Sequence, residues 1–480
     1  MKSPSMAHLI PLAAICIIST LNQISCKDNS AQDFIELTKQ PYFVDHSELM
    51  RYFYEDSFFT TAFVSCPRGF GKTINLQMIQ LFNDLELDSN HKPKPMNDTQ
   101  AYKIFSKLAV GHEQFYRWIR DNVAQHPVIS IDLNTDKTLA DFDEKKIIEF
   151  LNEKLYEGFV RYKWILDVPA ETLHKINLLQ PYRLLDEHVA LIKKLSEKKL
   201  ANKFEIGEAF YRFAHFLQIY FQSGVLILID DYDSAFVKSS KPTKQQIEFF
   251  YTFINDVIKH VAQPPQNEVT RNIWVAGTTS MLYPEIVKDI EKAYITSCLE
   301  GEWVLDYYGY SETDVAELAR KYKLTSKQTQ DLKKHYGGYM LQNYTTLYNP
   351  SSVTQYLKNL ETEKENALKR YWKINKDDDF LHGFRDDQVF RDIVQDIVNG
   401  GTTEYGLMGE FNISDTKRFI NLNEKYQYKK TDYNTLIKYV FEQGYVSYNA
   451  VSNETAMFST FGYRAPNAET ARALSKIILE

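Results

Sequence analysis

The stretch "FVSCPRGFGKTINLQM", residues 63–78, constrains the fold more than any other part of the chain. A β-branched, apolar run enters a turn holding Gly69 and Gly71, and an amphipathic helical pattern (Ile74, Met78, Leu81, Phe82) leaves it. Lys72 and Thr73 sit where turn becomes helix. This is the layout of a phosphate-binding loop: backbone N–H groups and the helix N-terminus cradle phosphates, the Lys reaches the β/γ-phosphates and the Thr hydroxyl ligates Mg²⁺. Gly71 lets the backbone approach a phosphate with no side chain in the way. The loop as a whole runs Cys66, Pro67, Arg68, Gly69, Phe70, Gly71, Lys72, Thr73, and its first position, a glycine in the usual pattern, is Cys66.

A second signal lies downstream. "VLILID" ends in Asp230 after five consecutive apolar residues. P-loop NTPases place an Asp at that strand end to hold Mg²⁺. Asp231 follows, where many such ATPases carry a Glu that orients the attacking water, and Asp233 comes two residues later, placed to orient the turn. Thr278 or Thr279, at the end of another apolar run, is a candidate polar sensor near the γ-phosphate. Arg68 either assists the phosphates or faces solvent.

Four runs read as strands buried on both faces of a mostly parallel sheet: 60–66, 127–134, 224–233 and 272–280. Helical patterns lie between them, at 143–163 (Ile147, Leu151, Leu155), before the third run (Phe210, Phe213, Leu217, Tyr220) and at 245–261. The alternation predicts an α/β parallel sheet with helices on both faces. After about residue 306 the pattern becomes mainly helical, with capping boxes at Ser311/Asp314 and Thr325/Gln328. A hairpin over 444–450 and 456–464, turning at Ser452–Asn453, and a last helix capped at Asn467 close the chain. The expected division is 1–26, 27–305 and 306–480.

With 480 residues, 44% apolar and 25% charged, the composition is globular, and a net charge of −7 gives no electrostatic case for nucleic-acid binding. Lys2 precedes an apolar run from Leu9 to Leu21, interrupted by Pro11. That run is shorter than the roughly 20 residues of a spanning helix and suits a signal peptide cut after Ser25 or Cys26. The expectation is a mature chain from near Lys27, secreted or lumenal, with no membrane segment after signal removal. The four cysteines (Cys16, Cys26, Cys66, Cys298) are too few for a disulfide framework and form no zinc pattern. Glycosylation triplets occur at Asn97, Asn343, Asn412 and Asn453.

These residues resemble the AAA-ATPase-like family, a P-loop group abundant in bacteria. Its opening "YFVDKT" segment is matched by "PYFVDHSEL" (41–49), its loop "RPRRFGKT" by "CPRGFGKT" (66–73) and its "LIDEYD" by "LIDDYD" (228–233). "VAGTTS" (275–280), "YGYSETDV" (308–315), "YGGYM" (336–340), "YNPSSVTQYL" (348–357), "GYVSY" and "APNAET" continue the similarity in order to about residue 475. The resemblance implies ATP and Mg²⁺ as ligands, with Lys72 and Thr73 at the phosphate and metal positions and Asp230 as the Mg²⁺ aspartate. It also implies that the 272–278 strand separates the P-loop strand from the 224–230 strand. The family's own loop lacks the first glycine, so Cys66 is no sign of decay. Asp231 in place of Glu does depart from the pattern and shortens the water-orienting carboxylate by about 1.5 Å.

Bacterial relatives commonly append a nuclease-like domain, and none is expected after Glu480. The sequence therefore predicts an ATP-binding protein with Lys72, Asp231 and Thr278 as its catalytic set and slow hydrolysis at most. Two rival readings stand beside it: a pseudo-ATPase acting as a secreted interaction module on an unidentified protein partner, and a cytosolic nucleotide switch.

Overall fold

A computed structural model describes residues 31–480 apart from 52–60, 113–115, 170, 173–184, 240–241, 263–268, 281–282, 284–289, 291, 301–306, 342–344, 364–367, 373–378, 403–429 and 451–460. Five parallel strands form the central sheet: β1 (Thr61–Ser65), β2 (Val128–Asp132), β3 (Val225–Asp230), β4 (Thr270–Gly277) and β5 (Ala293–Ser297). Their order is β2-β3-β4-β1-β5. β4 thus lies between the P-loop strand and the strand ending in Asp230, as the resemblance implied. The register puts Ser65 beside both Gly277 and Ser297, and Asp132 beside Asp230. The carboxyl ends of β1, β3 and β4 therefore open on one edge, where ligands bind in open α/β sheets.

Continuous apolar runs become continuous burial: every residue of β1 and β3 is buried. The covering helices are α1 (Gln32–Thr38), α2 (Lys72–Asn83), α3 (Glu144–Phe159), α4 (Lys203–Phe221) and α5 (Lys244–Ala262). α3 buries Ile147, Leu151 and Leu155, and α4 buries Phe210, Phe213 and Leu217. α4 starts on an Asn202 cap that accepts from the Glu205 amide and ends on Gln222 in the left-handed region (φ 52°), which turns the chain into β3.

In the second region α6 (Glu312–Lys321) and α7 (Ser326–Tyr336) begin at the expected capping boxes, Ser311/Asp314 and Thr325/Gln328. α8 (Pro350–Glu363) and α9 (Lys430–Glu442) follow, and α10 (Ala468–Ile478) is capped by Asn467, which accepts from the Thr470 amide. Strands β9 (Ser447–Ala450) and β10 (Phe461–Arg464) pair antiparallel, and the expected turn at Ser452–Asn453 lies outside the described residues. Phe236, just past β3, packs against Phe380 and Tyr439, so residues from both regions join one hydrophobic core.

The sheet is one strand wider than the four expected. β5 was not expected because "AYITS" is an edge strand, only partly buried over its first three residues. The second region also holds a three-stranded antiparallel sheet, β6 (Tyr310–Ser311), β8 (Thr346–Tyr348) and β7 (Tyr339–Met340), whose two- and three-residue strands carry no periodic signal. The segment read as a signal peptide and the triplets at Asn343, Asn412 and Asn453 lie outside the described residues. Among the described residues no helix is long and apolar enough to cross a membrane.

Candidate nucleotide site

The phosphate loop leaves β1 by extending it. The Cys66 amide donates to the Gly277 carbonyl, so the β1–β4 ladder runs one residue into the loop. The turn's left-handed positions come later, at Gly69 (φ 79°) and Gly71 (φ 95°). This answers the anomaly at the first position: Cys66, one residue past β1, is still held by the ladder's last hydrogen bond, and the conformations only glycine adopts cheaply fall where glycines stand. The Cys66 side chain turns to Cys298, directly after β5, and the two sulfurs are bonded with Cα atoms 5.3 Å apart. The cysteine count gave no hint of this link.

Lys72, only 8% exposed, folds its ammonium back over the loop. Nζ donates to the carbonyls of Cys66 (2.7 Å) and Pro67 (3.3 Å) and lies 3.4 Å from the Thr278 hydroxyl. Burial lowers its pKa, opposed by the carboxylates of Asp231, Asp233 and Asp230. The Thr73 hydroxyl donates to Asp230 at 2.6 Å. Burial first, and the neighbouring Asp231 second, push the Asp230 carboxyl up to about 7. Asp231 sits in the left-handed region (φ 49°), which Asp tolerates better than most residues, and its amide donates to Asp230. Asp233 is buried and accepts from the Thr278 and Thr279 amides at 2.7–3.2 Å, so it ties the β3 turn to the end of β4. Thr279 is buried away from the cavity edge; Thr278 reaches Lys72.

A cavity of about 710 Å³ opens over these groups. Arg68, Gly69, Phe70, Gly71, Lys72, Thr73, Asp231, Asp233 and Thr278 line it, whereas Cys66 and Pro67 contribute only their carbonyls to Lys72. Its remaining wall comes from segments to which the sequence assigned no role, and they meet one another: Lys358 lies over the Tyr42 ring at 4.9 Å, and His46 Nδ1 is 3.1 Å from the Tyr307 carbonyl. The similarity over 41–49 and 348–357 was the available signal.

The residues fit a Mg²⁺–nucleotide. A Cβ placed on Gly71 would meet nothing within 4 Å, so the cradle is open where a phosphate would approach. The Thr73 hydroxyl and the Asp230 carboxylate converge on one point, an oxygen pair suited to a hard cation. Among the described residues no group of three His, Cys, Asp or Glu forms a protein-only metal cage. Mg²⁺ usually rests on one or two protein oxygens plus phosphates and waters.

The model of the predicted AAA-ATPase family matches residues 30–287, more than half of the chain. The chain belongs to this AAA-ATPase-like family. A solved structure, the Walker-type ATPase PABY2304 of Pyrococcus abyssi, is similar over 89% of this chain and 94% of its own, at 10% identity and a TM-score of 0.41. No curated protein matches the chain. In this AAA-ATPase-like chain the loop glycines, Lys72, Thr73 and Asp230 gather at the carboxyl ends of β1 and β3.

One neighbouring group is titratable near neutrality. Glu442, at the end of α9, accepts from both the amide and the hydroxyl of Ser280, two residues beyond Thr278. Lys438 stands 3.9 Å away but is held more closely by Glu300, at 2.5 Å. Burial pushes the Glu442 carboxyl up to about 7 from an ordinary 4.5. The folded chain thus keeps this proton through a window where the unfolded chain has released it. Stability from this group falls as pH rises from 4.5 through 7, and the whole cost is present above 7. Glu442→Gln keeps an acceptor for Ser280 without the charge. Its melting temperature should exceed that of the unsubstituted protein at pH 8.5, by an amount worth on the order of 3 kcal/mol, and match it near pH 4.5. Thermal scans at both pH values check this.

Proposed function

We propose that the chain is a Mg²⁺-dependent ATP-binding protein that hydrolyses ATP slowly and enters the secretory route. The observation that carries the binding reading is the convergence of the Thr73 hydroxyl on Asp230 at 2.6 Å, with the Lys72 ammonium beside the loop and Thr278. Lys72, the loop amides and the α2 N-terminus hold the phosphates, while Thr73 and Asp230 hold the cation. Mg²⁺, when bound, neutralises charge on the β- and γ-phosphate oxygens. Thr278 places a hydroxyl beside Lys72, and Asp231, at the cavity wall directly after Asp230, supplies a carboxylate to orient a water. That carboxylate is one methylene shorter than the family's Glu, and misplacement of about 1 Å costs up to roughly 10²-fold in rate. Slow turnover follows from that shortfall. The Cys66–Cys298 bond supports the secretory reading, because such links persist in oxidising compartments.

The test is titration of the purified protein with a fluorescent ATP analogue, with Mg²⁺ and with EDTA, followed by phosphate release. The expected result is saturable binding that weakens about 10-fold in EDTA, with turnover below about 1 s⁻¹. No saturable binding in either buffer would discard the ATP reading in favour of a pseudo-ATPase interaction module.

A further inference from the structure

The inner face of the phosphate loop is open to the cavity, but its outer face is not free. Its three successive outward carbonyls are each taken by a donor from the second region. The Asn349 side-chain amide donates to the Arg68 carbonyl at 2.8 Å. The Ser351 amide donates to the Gly69 carbonyl at 3.1 Å, and the Gly309 amide to the Phe70 carbonyl at 3.3 Å. The fit is close: a Cβ on Gly69 would fall 2.6 Å from Asn349 and 2.9 Å from Ser351. The Phe70 ring packs edge-on against Tyr339 at 4.9 Å.

Asn349 is the centre of this contact and is only 1% exposed. Its amide donates to the Tyr336 carbonyl, and its Oδ1 caps α8 by accepting from the Ser352 amide at 3.1 Å. The Ser352 hydroxyl in turn donates to Glu469, which also accepts from the Trp372 amide. One side chain thus caps a helix with its oxygen and grips the loop with its nitrogen, and the grip is braced from α10.

A trans peptide unit that points its carbonyl outward points its N–H group inward; the Phe70 amide closes the turn onto the Pro67 carbonyl at 3.4 Å, which leaves the Gly69 and Gly71 amides for the cavity. We infer that Asn349 is a positioning residue for nucleotide binding: its Nδ2 holds the loop with amides turned to the phosphates, so the seating of the second region and nucleotide occupancy are linked. The inference rests on the ATP reading of the site. By linkage, whatever the held loop gives to ATP, ATP gives back to the contact between the two regions.

The oxygen and nitrogen roles are separable. Asn349→Ser and Asn349→Asp both keep a good helix cap, and neither can donate as the amide does to the Arg68 carbonyl. For the full chain, each variant should bind the fluorescent ATP analogue about 10-fold more weakly or worse, the equivalent of one lost hydrogen bond to a buried group. Asn349→Ser should lower the nucleotide-free melting temperature modestly, because the Arg68 carbonyl loses its donor, so affinities are compared at a temperature where both proteins are folded. A capping role alone would leave affinity unchanged in both variants, and that result overturns the inference. A second measurement needs no variant: ATP should slow hydrogen exchange in peptides spanning Gly309 and Ser351. Unchanged exchange there in a protein that binds ATP overturns it equally. Failure of the unsubstituted protein to bind ATP would instead remove the site reading itself, and with it this inference.

Discussion

Lys72→Ala should weaken ATP binding by at least about 10²-fold while moving the melting temperature of the nucleotide-free protein little. The ammonium is the one lysine charge at the loop, and each charge-assisted hydrogen bond to phosphate is worth about 1.5–3 kcal/mol. Two such bonds account for the expected factor, since about 1.4 kcal/mol is tenfold. The folded protein loses less. Nζ donates to the carbonyls of Cys66 and Pro67, which border a water-accessible cavity once the side chain is gone, and burial already disfavours the charge. Calorimetric titration with ATP and Mg²⁺ measures the first effect and a thermal scan the second. Equal affinity in the variant would mean that phosphates are not seated on this loop.

Asp231→Glu should act in the opposite direction and on a different quantity. In the proposed site Lys72, Thr73 and Asp230, not residue 231, hold phosphates and cation, so nucleotide affinity should be nearly unchanged. Turnover should rise, by up to about 10²-fold, because only the orientation of the attacking water improves. The backbone of residue 231 has φ 49°, a conformation Glu occupies less readily than Asp, so a modest loss of stability should accompany the gain. Asp231→Asn should reduce residual turnover. Steady-state phosphate release at saturating ATP separates the cases, and a Glu variant no faster than the parent would exclude residue 231 from water orientation.

The parts of the fold legible in the sequence are those where one physical demand dominates. A strand buried on both faces can hardly be anything but an apolar run, so β1 to β4 stand out as "TAFVS", "VISID", "VLILID" and "NIWVAG". Cap residues announced α6, α7 and α10 because Ser311, Thr325 and Asn467 each satisfy an amide three residues on. β5 was hidden because an edge strand half open to solvent needs no such run. In the site, Lys72, Thr73 and Asp230 were legible because their chemistry is local to a turn or a strand end. The grip of Asn349 on Arg68 was not, since 281 positions separate the two and the similarity over 348–357 says nothing of what Asn349 touches. The bond from Cys66 to Cys298 was hidden for the same reason, across 232 positions.

That bond turns residues 66–298 into a covalent ring, and nearly all of the chemistry lies inside it. Lys72 and Thr73 sit near one end, Thr278 near the other, and Asp230 and Asp231 between them. Within the ring the whole stretch from Asp88 to Pro95 is exposed, Lys92 and Lys94 included. Exposed polar loop tips of this kind are where proteases cut first. A cut there would part the chain between Lys72 and Asp230. Yet the two pieces would remain one molecule, tied at Cys66 and paired through β1 and β4. A site closed in this way stays one molecule through a backbone break that would part an unringed one.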